Sequence, residues 1–95
     1  MIERHITFNV HPEHTAEFER FFVDEYRPPV LQMPGLVACV LLREIEHPDS
    51  YQMVFRWETA DDATAWRVSE VHQGLQPGLN ALHSGMEIVA YTTVA

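Results

Sequence analysis

Apolar and polar residues alternate at the start of the chain with the period of a half-buried β-strand. The apolar positions there are Ile2, Ile6, Phe8 and Val10, and the polar positions are Glu3, His5, Thr7 and Asn9. The alternation recurs where Tyr51, Met53, Phe55 and Trp57 are separated by Gln52, Val54 and Arg56. The stretches 36–45 and 86–94 are apolar or rich in β-branched residues, which favours strands there too. The pattern therefore predicts four strands.

A first helix is predicted between the first two strands. Pro12 suits the first helical position, and the large apolar residues Phe18, Phe22 and Tyr26 then recur every fourth residue. We expect this helix to end at Pro28 and Pro29, because the residue before a proline disfavours helical backbone angles.

A second helical region extends from about Ala60 to Leu82 after Thr59, which is a good N-cap, with interruptions expected at Gly74 and at 77–78. On one unbroken helix, Trp66 would lie roughly 160° away from the apolar stripe. A fully exposed tryptophan is uncommon, so we expect a break near Ser69 that turns Trp66 and His72 toward the sheet.

The resulting order is β-α-β-β-α-β, and 95 residues correspond to a single domain, 1–95. Two helices cover only one face of a four-stranded sheet, yet residues 36–42 are apolar on both faces. The second face also carries Val54, Val89 and Tyr91. The sequence therefore predicts that a second copy packs there as a two-fold homodimer.

Composition and charge narrow the possible partners. The chain is 46% apolar and carries a net charge of −8, which fits a folded domain and argues against nucleic acid or an anionic membrane as a partner. Cys39 is the lone cysteine, which suits a reducing cytoplasm. No apolar run approaches the ~20 residues of a membrane span, and the start lacks a signal-peptide layout. We therefore expect a cytoplasmic protein.

His72 is the best candidate for an acid or base, since a histidine pKa of about 6.5 needs little adjustment at neutral pH. The alternative is a structural histidine held by a carbonyl group. Trp66 is either the flat wall of an aromatic pocket or simply core. Ser69 lies three residues before His72, but no orienting acid or nucleophile elbow accompanies the pair, which argues against nucleophilic catalysis.

The remaining polar candidates have plainer interpretations. His5, Thr7 and Asn9 share one strand face and are either pocket or dimer-interface residues. The spacing of His11, His14 and Glu17 resembles a metal-binding set, but no further ligand completes it, so no metal site is assigned. Cys39 lies within an apolar strand, which favours an inert buried thiol.

Several short motifs in order resemble the antibiotic biosynthesis monooxygenase family of the dimeric α/β-barrel superfamily. They are Val10-x-Pro12-Glu13 with Phe18-Glu19, Pro34-Gly35-Leu36, Trp57-Glu58, and Ala65-Trp66-x-x-Ser69-x-x-His72. The resemblance implies an α+β, ferredoxin-like subunit with a four-stranded antiparallel sheet. It also implies dimerisation through the sheets and a pocket between sheet and helices in each subunit.

The resemblance further implies oxygenation of a small aromatic quinol or anthrone without a metal, flavin or haem cofactor. A deprotonated substrate of this kind is electron-rich enough to reduce O₂ directly, so the protein supplies an apolar pocket, a proton acceptor and an oxyanion donor. His72 would be the proton acceptor and Trp66 the stacking wall. His5, Asn9 and Ser69 would be polar pocket residues.

Two other branches of the superfamily give alternative functions. Haem-degrading relatives combine an asparagine on the first strand, a tryptophan on the second helix and a haem-ligating histidine ten residues after it. This chain has Arg4 or His5, Trp66 and Gln76 at these positions. Only Trp66 matches, so haem degradation is disfavoured, with His72 or His83 left as substitute ligands. Stress-responsive dimeric α/β-barrel proteins begin with a strand resembling residues 1–5 of this chain. That likeness keeps open a small-molecule-binding dimer without catalytic activity.

Overall fold

The computed structural model describes residues 1–95 and contains one four-stranded antiparallel sheet. Its strands are β1 Ile2–Asn9, β2 Leu36–Arg43, β3 Ser50–Trp57 and β4 Gly85–Thr92. Their spatial order is β2-β3-β1-β4, so the sheet is open within one chain. This confirms the predicted α+β, ferredoxin-like topology, with strand ends within two residues of those expected.

The helices all pack on one face of this sheet. The first helical region follows β1 and consists of a 3₁₀ turn Pro12–His14, α1 Thr15–Phe21, a π-helical segment Phe22–Tyr26 and α2 Arg27–Val30. The second follows β3 and consists of α3 Ala60–Arg67 and α4 Glu70–Asn80. The core between the layers is aromatic. Its fully buried large side chains include Phe8, Phe18, Phe22, Tyr26, Tyr51, Trp57 and Trp66.

The first helix does not end at Pro28 and Pro29, as the sequence predicted, but continues to Val30. The π-helical segment explains the difference. The Arg27 N–H bonds to the Phe22 carbonyl, one residue further back than in an α-helix, and the widened turn accommodates prolines that have no N–H to donate. The extension buries Val30 in the core.

The predicted break near Ser69 is confirmed, because α3 ends at Arg67 and α4 begins at Glu70. The interruptions expected at Gly74 and at 77–78 are wrong, since α4 runs through both. Gly78 instead allows close packing of α4 on α1: a Cβ at this position would lie 2.7 Å from Cε2 of Phe21. Glycine is thus used here for contact between helices rather than to stop one.

The second face of the sheet carries apolar side chains that nothing in the chain covers. Val40, Leu42, Val89 and Tyr91 are each 40–51% exposed there, as the two-sided pattern of β2 predicted. Cys39 points to the other face and is buried, as expected. None of the helices combines the length and apolar character needed to cross a membrane.

Candidate active site

A cavity of about 80 Å³ lies between the sheet and α4. Its apolar lining consists of Ile6, Phe8, Phe55, Trp66, Leu79, Met86 and Ile88, together with the ring of Tyr26. Its polar lining consists of Arg4, Arg67, His72 and Gln76. Met86 and Ile88 remain almost half exposed, so they form the side of the cavity nearest to solvent. The lining contains no aspartate or glutamate.

Trp66 is held in the cavity wall by the break between α3 and α4. The Ser69 hydroxyl donates a hydrogen bond to the Trp66 carbonyl at 2.7 Å and accepts one from the His72 backbone N–H at 3.1 Å. This cap turns Trp66 inward, where it is 2% exposed and packs edge-on against Tyr26 at 5.8 Å. Its indole N–H has no hydrogen-bond acceptor in the protein.

His72 lies in the first turn of α4, with its ring 5.2 Å from that of Trp66. Its Nδ1 is 3.0 Å from the Arg67 carbonyl, which can only accept, so Nδ1 carries the proton and Nε2 carries the lone pair. Nε2 accepts a hydrogen bond from the Gln76 amide at 3.1 Å. Partial burial lowers the pKa of His72, and the charges of Arg4 and Arg67 add to this, against the opposing Arg67 hydrogen bond. The imidazole is therefore neutral at pH 7 and can accept a proton at Nε2.

Arg4 lies on β1 and forms part of the same wall. It is half-buried, and burial together with the nearby Arg67 charge lowers its pKa. The group nevertheless stays charged, because an arginine loses its proton only far above neutral pH. Sequence analysis did not identify Arg4 as a site residue, although a signal was present: it occupies an inward position in the alternation between Ile2 and Ile6.

Tyr26 supplies a further donor to this site. Burial raises its pKa to about 12, although the neighbouring indole of Trp66 and the charge of Arg4 favour the phenolate. The phenol therefore keeps its proton at neutral pH. The sequence placed Tyr26 on the apolar stripe of the first helix, but gave no signal that it lines a site.

The residues predicted for the site are only partly brought together. Trp66 and His72 line one cavity, and Ser69 lies beside them as the cap of α4 rather than in the lining. His5 and Asn9 require a correction, since strand alternation places them on the opposite face of the sheet. The ring of His5 lies there against Tyr91 at 4.7 Å, with Nε2 3.2 Å from Glu3. Neither residue lines this cavity, and their role at a dimer interface stays a prediction.

The other reactive candidates lie away from the cavity. Burial raises the pKa of the Cys39 thiol to about 12, so the thiol stays protonated and unreactive. His11 precedes the helix as the N-cap of the 3₁₀ turn, and its ring centroid is 6.4 Å from that of His14. His14 and Glu17 form only a 3.8 Å contact at the surface.

The family model for antibiotic biosynthesis monooxygenases matches residues 1–77. The chain therefore belongs to the antibiotic biosynthesis monooxygenase family, as its motifs indicated. A search of curated protein sequences finds no significant match.

Solved structures of the same family share the fold over nearly the whole chain. A Deinococcus radiodurans protein superposes with a TM-score of 0.90 at 17% identity, covering 100% of this chain and 94% of that one. SnoaB, a cofactor-independent oxygenase from Streptomyces nogalater, gives a TM-score of 0.88 at 26% identity, with 99% and 93% covered. A Bordetella bronchiseptica protein gives 0.86 at 25% identity, with 99% and 97% covered.

The histidine ligand of the haem-degrading relatives is absent from its expected position in the cavity. Gln76, at the position where the haem-degrading relatives have their ligand, lies in the cavity and contacts His72 through its amide. A carboxamide is a poor axial ligand for haem iron, which proteins hold through histidine, cysteine, methionine or tyrosine. The family ligand position thus does not favour haem, and His72 is the one histidine in the lining.

Proposed function

We propose that the protein is a cofactor-independent monooxygenase that oxidises a small aromatic substrate, a quinol or an anthrone-like compound, with O₂. The observation that carries this proposal is the neutral imidazole of His72 in a largely apolar cavity beside Trp66. The lone pair on its Nε2 faces the side-chain amide of Gln76. Gln76 holds Nε2 in the resting state, and an arriving substrate would replace its amide.

The chemistry requires only that the substrate be made electron-rich. His72 would take a proton from an acidic C–H, Trp66 would stack on the ring, and the N–H and O–H donors of the cavity would stabilise the resulting oxyanion. For a methylene group the balance is R₂CH₂ + O₂ → R₂C=O + H₂O. The carbon loses four electrons and O₂ gains them; one oxygen atom enters the product and the other leaves as water.

The relation to SnoaB supports this activity. SnoaB is a cofactor-independent oxygenase, and the two chains are 26% identical over almost their full lengths. Both the family and the cavity are thus compatible with oxygenation.

We also propose that the protein works as a homodimer through the open face of its sheet. The exposed side chains of Val40, Leu42, Val89 and Tyr91 form an apolar surface there. A second copy presents the same surface, so two-fold packing would cover both and would bury His5 and Asn9 at the interface.

Oxygen uptake tests the enzymatic proposal. EDTA-treated protein is offered an anthrone and a set of reduced quinones, and the rate is compared with autoxidation. We expect uptake above that background with the wild type, its loss in His72→Ala, and no change in His14→Ala, which alters a half-buried histidine outside the cavity. Equal uptake by His72→Ala would exclude His72 as the proton acceptor.

The second candidate function is binding of a small aromatic molecule without turnover. The resemblance of residues 1–5 to stress-responsive dimeric α/β-barrel proteins favours it. Cavity size does not separate the two functions, because 80 Å³ is well below the roughly 300–1,000 Å³ of sites for drug-sized ligands and must widen for either. A binder would raise its melting temperature with the ligand and consume no O₂. An enzyme would consume O₂ in proportion to the substrate, with Met86 and Ile88 moving aside.

A further inference from the structure

Arg4 is a half-buried cation with no partner in the protein. Its guanidinium takes part in no ion pair and no side-chain hydrogen bond, whereas Arg43 and Arg56 pair with glutamates at 3.3 and 3.1 Å. A charge removed from water without a partner is costly, and arginine cannot escape that cost by losing its proton. An unpaired guanidinium in a cavity wall is therefore suited to a negatively charged partner from outside the chain.

The surroundings of Arg4 favour the same kind of partner. Two cavities flank this residue, the one described above and a second, of about 170 Å³, near Ala60 and Thr64. Arg67 also lines both, and neither contains an aspartate or glutamate. The chain as a whole has 14 acidic residues against six basic ones. A local region with two guanidinium groups and no acid thus departs from the overall charge and attracts anions.

Unfilled donors in the cavity add to this preference. The indole N–H of Trp66 is buried and lacks an acceptor, and it lines the same cavity as the unpaired guanidinium of Arg4. The one strong acceptor in the lining, Nε2 of His72, is already engaged by Gln76. A ligand that brings acceptor oxygens satisfies these groups, and a ligand that brings only donors does not.

We propose that Arg4 determines specificity by binding the carboxylate of an aromatic carboxylic acid whose ring lies against Trp66. A carboxylate is ionised at neutral pH before any reaction, and its two oxygens match the planar fork of a guanidinium. A neutral phenol or ketone offers neither property. The inference rests on the proposed function insofar as it uses the same cavity, but it concerns recognition and not oxygen chemistry.

Two probes of equal shape separate charge from ring binding: benzoate and benzamide. The readout is the indole N–H signal of Trp66 in a ¹⁵N–¹H spectrum, assigned by its loss in Trp66→Phe. We expect benzoate to shift this signal saturably and to bind at least about tenfold more tightly than benzamide, since a charged hydrogen-bonded pair is worth that factor or more. Equal binding of the two probes, or no shift with benzoate, would overturn the proposal.

Variants then locate the charge. Arg4→Gln should remove the preference for benzoate, and Arg4→Lys should keep part of it. Arg20→Gln, which changes an exposed arginine on α1, should leave the preference unchanged, and circular dichroism confirms that each variant is folded. A preference that survives Arg4→Gln would overturn the assignment. Benzoate binding without oxygen uptake by any substrate would instead refute only the oxygenase proposal.

Discussion

The rings of Trp66 and His72 lie 5.2 Å apart with their planes inclined by 67°, although the two residues belong to different helices. Ser69 creates this relationship. Its hydroxyl closes the end of α3 on the Trp66 carbonyl and opens α4 at the His72 N–H. A single capping residue thus determines how the stacking wall and the proton acceptor face each other.

Replacing Ser69 with alanine should therefore affect both stability and the cavity. Loss of an N-cap costs roughly 1 kcal/mol of unfolding free energy, and we expect Ser69→Ala to lower it by about that amount in urea titrations. Oxygen uptake should fall as well, because Trp66 and His72 lose their common anchor.

Thr59→Ala is the matched control for that experiment. Thr59 caps α3 by accepting a hydrogen bond from the Asp62 N–H at 3.1 Å, but it is not part of the cavity lining. The Thr59→Ala substitution should lower the free energy of unfolding by a similar amount and leave oxygen uptake per folded molecule unchanged. A loss of uptake equal to that of Ser69→Ala would show that only general stability is involved.

The pH dependence of oxygen uptake follows from the lowered pKa of His72. Only the neutral imidazole accepts a proton, and its pKa lies below the ordinary value of 6.5. We therefore expect more than half of the maximal uptake to remain at pH 6.5, with a decline at lower pH. A half-maximal point at or above pH 6.5 would contradict this environment for His72.

The free energy of unfolding should also decrease as the pH falls. The unfolded chain binds a proton at His72 as the pH falls below 6.5, before the folded protein does, so His72 reduces stability on acidification. The variant His72→Gln should lose less stability than the wild type between pH 7 and the lowered pKa. Equal losses in urea titrations would show that His72 is not linked to folding.

Two glycines of α4 should respond to alanine in opposite ways. At Gly74 a Cβ meets nothing within 4 Å, so Gly74→Ala should stabilise the helix by up to about 1 kcal/mol. At Gly78 a Cβ would press on Phe21, and overpacking of this kind costs roughly 1–3 kcal/mol, so Gly78→Ala should destabilise the protein. Urea unfolding of both variants measures the difference, and equal effects would contradict the close contact between α4 and α1.

The proposed homodimer predicts a charge-sensitive sheet face. Leu42 is 51% exposed on that face, and Leu42→Glu should give monomers in sedimentation because two carboxylates would have to be buried. Val23→Glu places the same charge at a similarly exposed position on the helical side and should leave dimers intact. Wild-type protein that sediments as a monomer at tens of micromolar would refute the dimer.

The sequence allowed prediction of the strands and of the Ser69 break because both depend on local periodicity. The exposed position of Trp66 on an unbroken helix was itself the signal for the break. The predicted helix end at Pro28 was wrong because the π-helical segment before it widens the turn, and local periodicity does not reveal such a segment. The pocket roles of His5 and Asn9 failed because alternation shows which residues share a face, but not which face encloses a cavity. Arg4 was detectable as a charged residue among apolar inward positions.

Isotope labelling tests the central claim, oxygenation dependent on His72, most directly. Anthrone is converted under ¹⁸O₂ by the wild type and by His72→Ala, and the quinone is analysed by mass spectrometry against autoxidation. The account predicts one ¹⁸O atom in each quinone formed by the wild type, at a rate above background, and only background product with His72→Ala. A new oxygen atom that derives from water, or equal product from both proteins, would contradict it.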